Sequence, residues 1–73
     1  MQVLIETWKK GNSTAVLTVN EPAAGEENPV DSEQSARLEI DGRETECIRW
    51  WAAHYLRTDL ADGGWRMAER QMM

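Results

Sequence analysis

One histidine, one cysteine and three serines are the first side chains of this chain to weigh as a nucleophile or a proton shuttle. His54 is the one group that titrates near neutrality without help. Acid–base or nucleophilic catalysis also needs a second group held at a fixed distance. Ser13 reads as a turn residue, and Ser32 and Ser35 fall in an acidic stretch; none has the strand-to-helix setting of a nucleophile elbow. Cys47 falls where a helix is expected to begin, a position that favours a thiolate. Glu44 and Glu46 oppose that charge, and beside Ile48 and Trp51 the residue reads as a small buried hydrophobe. The carboxylate pairs Glu26–Glu27 and Glu44/Glu46 lack two elements that would fix them across a cleft. One histidine and one cysteine are too few for a four-ligand zinc site, and neither glycine-rich phosphate motif occurs. No catalytic residue, metal site or cofactor is therefore expected.

Charge is distributed unevenly. Glu21, Glu26, Glu27, Asp31 and Glu33 lie in one stretch without a base, and the remainder carries eight acids and eight bases, so this stretch supplies the whole formal charge of −5. A solvated acidic segment on a neutral domain matches a protein with a basic surface better than a nucleic acid, whose binders are rich in cations. Tryptophan and arginine are the residues most enriched at binding hot spots. Trp50 and Arg57, placed by a helical wheel on the side with Arg49 and Ala53, are candidates of that kind, as is Trp8. The partner-binding set expected from sequence is Glu26, Glu27, Asp31, Trp50, Arg57 and Trp8.

The elements that must position these residues follow from periodicity. Residues 2–20 alternate on either side of Gly11-Asn12, as a β-hairpin does. Placing Lys10 opposite Thr14 puts Val3, Ile5, Leu17 and Val19 on one core face. A slip of one residue would set Glu6 against Leu17, which a hydrophobic core disfavours. The chosen register leaves Leu4, Trp8 and Val16 together on the outer face. Residues 21–35, with Pro22 and Pro29, read as a long acidic loop. Residues 36–41 alternate as a third strand, with Ala36, Leu38 and Ile40 inward. Asp41-Gly42-Arg43-Glu44 has the spacing of a capping box, which predicts a helix over 42–59. Its inward stripe would be Ile48, Trp51, Ala52, Tyr55 and Leu56, and Asp62-Gly63-Gly64 would stop it. Residues 65–72 are good helix formers and are expected to make a short helix, with a fourth strand as the alternative.

The expected fold is one α+β domain, a three-stranded antiparallel sheet with one amphipathic helix across a face and a short C-terminal element. Seventy-three residues bury only ~60% of the surface of the unfolded chain, so a tight core or self-association is needed. One cysteine excludes an internal disulfide. The absence of a long apolar run argues against a signal peptide or membrane span, and the lone thiol favours a reducing, cytoplasmic setting.

In size, acidity and expected architecture the chain resembles small inhibitors encoded by phages and mobile elements, anti-CRISPR proteins among them. That resemblance implies a non-catalytic protein-binding module that occludes a basic, nucleic-acid-binding surface of its partner. Two alternatives stand beside it: a homodimeric assembly subunit sealed through Leu4, Trp8 and Val16, and a sheet-type nucleic-acid reader using Lys9 and Lys10.

Overall fold

The structure, a computed structural model, describes residues 2–21 and 35–73. The expected acidic loop, with Glu26, Glu27 and Asp31, lies outside the described residues except at its ends, Glu21 and Ser35. The described chain forms β1 (Gln2–Lys10), β2 (Ser13–Glu21), β3 (Ser35–Ile40), β4 (Arg43–Arg49), a 3₁₀ turn (Trp50–Ala52), α1 (Ala53–Asp62) and β5 (Arg66–Met72). The strands make one five-stranded sheet in the order β4-β3-β2-β1-β5, every neighbouring pair antiparallel. The three-stranded sheet with a long helix is thus corrected to five strands with a single short helical segment.

The Asp41-Gly42 pair accounts for much of the difference. It joins β3 to β4 with Ile40 opposite Arg43. Both turn residues have positive φ, 51° at Asp41 and 84° at Gly42, the requirement of a type I′ hairpin turn. Asp41 Oδ1 accepts from the Thr14 backbone N–H at 3.0 Å, and the Asp41 N–H donates to the Thr14 carbonyl at 2.8 Å. The side chain read as a helix cap instead ties the second hairpin to the first. Residues 43–49 form an edge strand, and Cys47 stands exposed on it rather than buried in a helix.

The hairpin register is the one the sequence reading disfavoured. Lys10 pairs with Ser13 around Gly11-Asn12, Leu4 with Val19, Glu6 with Leu17 and Trp8 with Ala15. Gly11 has φ 58° at the first position of this two-residue turn, where a left-handed residue is required and glycine meets no penalty. The core face therefore carries Leu4, Trp8, Ala15, Leu17, Val19, Ala36 and Leu38, joined by Ala53, Leu56 and Leu60 of α1. The small Ala15 opposite Trp8 leaves room for an indole on that face. The supposed outer trio does not exist as a face. Leu4 and Trp8 are buried in the core, and Val16, opposite Thr7, is on the other side of the sheet.

The C-terminal stretch is β5 rather than a helix. It pairs with β1 from Leu4–Met72 to Lys9–Arg66, with a bulge at Ala68 between the Thr7–Glu69 and Trp8–Met67 pairs. All seven side chains are exposed, so the strand shows no alternation to read. Its helix propensity is overridden because β1 buries three side chains in the core and would otherwise leave its outer backbone groups without ladder partners.

The glycine stop is where the sequence put it. The Trp65 N–H donates to the Leu60 carbonyl at 2.9 Å and the Gly64 N–H to the Ala61 carbonyl at 3.1 Å, with Gly64 at φ 90°. That is a Schellman closure, completed by Trp65 packing back on the core that contains Leu60.

Candidate functional site

Glu6 is fully buried on the core face, at 0% exposure. An isolated carboxylate there would be severely penalised, so its partners dictate the local arrangement. Arg57 reaches in from α1, with Nε 3.0 Å from both Glu6 oxygens. The Trp8 indole N–H donates to Glu6 Oε1 at 3.3 Å, and Arg70 of β5 places Nε 3.4 Å from Oε2. One carboxylate thus ties together β1, α1 and β5. Arg57 Nη2 is buried and finds no hydrogen-bond partner among the described residues.

This pairing sets the rotation of the helix. With Arg57 turned inward, the buried side of α1 is Ala53, Leu56 and Leu60, at i, i+3 and i+7. Trp50 is half-buried against the core. The expected inward residues Trp51 and Tyr55 face solvent instead, 56% and 61% exposed. His54 stacks beside Tyr55, with ring centroids 4.1 Å apart. His54 Nδ1 lies 3.2 Å from the Trp51 carbonyl, so in its Nδ1–H tautomer the ring donates to the backbone at the start of the helix. That contact gives His54 a local structural role.

Of the residues expected to meet a partner, Trp8 is 6% exposed and sits in the core, and Arg57 is engaged by Glu6. Trp50 packs inward, while Glu26, Glu27 and Asp31 lie outside the described residues. The exposed aromatic pair Trp51 and Tyr55 was missed. The signal for it was present: two aromatics four apart, one in the 3₁₀ turn Trp50–Ala52 and one in the first turn of α1, once Asp41-Gly42 is read as a hairpin turn.

No described helix is long and apolar enough to cross a membrane. Among the described residues there is no pocket, and no group of three or more His, Cys, Asp or Glu side chains that could hold a metal ion. Compared with protein-family models, curated proteins and solved structures, the chain matches none.

Proposed function

We propose that this chain is a non-catalytic protein-binding module that docks through the outer face of the helical segment, around Trp51 and Tyr55. The exposure of these two large aromatics carries the reading. The chain has a core able to take indoles, and Trp8, Trp50 and Trp65 are in it or packed against it. Leaving a Trp and a Tyr in water sacrifices burial that a small domain needs, and such residues are the ones that dominate binding energies. The acidic segment between β2 and β3 supports a partner with a basic surface, for which it accelerates encounter, and occlusion of that surface is the action proposed. A free, exposed Cys47 fits a reducing compartment.

Tagged protein and its Trp51→Ala/Tyr55→Ala variant, used side by side to capture proteins from an extract of the source cells, test the reading. A protein retained by the parent and lost by the folded variant is the expected result. Identical captured sets for the two, or turnover of a substrate by the purified chain, would overturn it.

A further inference from the structure

From the outer stripe of the 3₁₀ turn and α1 we infer the chemistry of the partner: a basic protein segment that presents arginine side chains about one helical turn apart. This rests on the binding reading above and specifies it. Trp51, Tyr55, Asp59 and Asp62 follow one another at steps of four, four and three residues, and all are exposed. Tyr55, Asp59 and Asp62 share one side of α1, about 4.5–6 Å apart along its axis, and Trp51 precedes them in the 3₁₀ turn. The stripe therefore offers two aromatic faces at one end and two carboxylates at the other.

Both halves select the same ligand. Aromatic faces attract guanidinium groups, and exposed carboxylates pair with them in fork geometry. Neither aspartate forms an ion pair among the described residues. The single arginine of α1, Arg57, is turned inward and neutralised by Glu6, so no arginine or lysine of the helix competes for the stripe. The aromatic end also adjoins the place where the acidic segment rejoins the sheet, since Ser35 pairs with Arg49, two residues before Trp51. The four side chains of the stripe bring two carboxylates and no cation, which disfavours phosphate backbones and favours a cationic chain.

The probe is a helical alanine-based peptide with arginine at every fourth position, titrated into the full-length ¹⁵N-labelled chain. Its counterpart with glutamate at the same positions is the control. The expected result is a shift of the Trp51 indole N–H and of Tyr55 with the arginine peptide alone. Trp51→Ala/Tyr55→Ala should weaken binding about tenfold or more, and Asp59→Asn/Asp62→Asn several-fold with a shallower salt dependence. Because all four side chains are exposed, both variants should keep the parent amide spectrum elsewhere.

Three results would overturn the inference. Equal shifts with the glutamate peptide would mean an apolar occupant. Binding retained by both double variants but lost on neutralising Glu26, Glu27 and Asp31 would mean attraction by the acidic segment alone. Self-association that Trp51→Ala/Tyr55→Ala abolishes, seen without any peptide, would mean that a second copy is the occupant. If the arginine peptide fails while captured proteins still depend on Trp51 and Tyr55, the partner chemistry falls and the binding reading stands.

Discussion

Arg57 Nε lies 3.0 Å from each carboxylate oxygen of Glu6, a residue 51 positions earlier in the chain. This contact decides two things at once. It makes a carboxylate acceptable on the core face of β1, which fixes the hairpin register at Leu4–Val19 and Glu6–Leu17. It also turns α1 so that Arg57 points in and Trp51 and Tyr55 point out. The candidate binding surface is thus a consequence of a buried ion pair beneath it.

Removing one partner should be costly. Glu6→Ala leaves Arg57 without its counter-charge, and Arg57→Ala leaves a buried carboxylate to Trp8 and Arg70 alone. Each is expected to lose about 3–5 kcal/mol in urea unfolding, a large part of the whole stability of a domain this small. Replacing both together, Glu6→Leu with Arg57→Met, should recover most of that loss, because an apolar pair of similar volume carries no desolvation penalty. A Glu6→Leu/Arg57→Met loss equal to the sum of the losses of Glu6→Leu and of Arg57→Met made singly would show that the two side chains do not interact.

The second arginine should matter less. Arg70 is more than half exposed and 3.4 Å from Glu6, so solvent screens it. Arg70→Ala is expected to cost less than about 1 kcal/mol in the same unfolding assay. A loss as large as that of Arg57→Ala would mean that β5 is held chiefly by this contact rather than by its ladder to β1.

Gly64 tests the helix stop. Its φ of 90° is a conformation that a side chain strains, although Lys10 Cε at 3.7 Å leaves room for a methyl group. Gly64→Ala should therefore lower stability by about 1 kcal/mol through backbone strain, without a steric clash. An unchanged unfolding midpoint would contradict the left-handed closure at this position.

Part of this was legible in the sequence, and two of the failures share one cause. The strands and turn of the first hairpin, though not its register, the third strand with Ala36 and Leu38 inward, and the glycine stop follow from alternation and turn chemistry. Glu6 and Arg57, read one at a time, are surface charges. Placing Glu6 outside shifted the hairpin by one residue, and placing Arg57 outside rotated the helix. A buried pair from distant segments leaves no local mark, because its two members are reconciled only in three dimensions. The edge strands failed differently. β5 exposes all seven side chains, and bulges opposite Thr7/Trp8 and near Leu38/Glu39 interrupt the period of two in β5 and β4. The Asp41-Gly42 turn, by contrast, was readable: Asp-Gly is a strong hairpin signal, and the capping-box spacing was preferred to it wrongly.

Neutralising Glu26, Glu27 and Asp31 should act on rates. With a captured partner in hand, stopped-flow association at low salt should slow and lose part of its salt dependence, while dissociation changes little. Association unaffected by the triple change would remove the acidic segment from the mechanism.

Nuclear Overhauser effects in the intact chain address the inward Arg57 and outward Trp51 most directly. The Arg57 Nε proton should exchange slowly with water and show cross-peaks to the Glu6 side chain and the Trp8 indole, while the Trp51 indole proton exchanges freely and shows none to the core leucines. A fast-exchanging Arg57 Nε proton together with a Trp51 indole in contact with Leu17 or Leu38 would contradict the account.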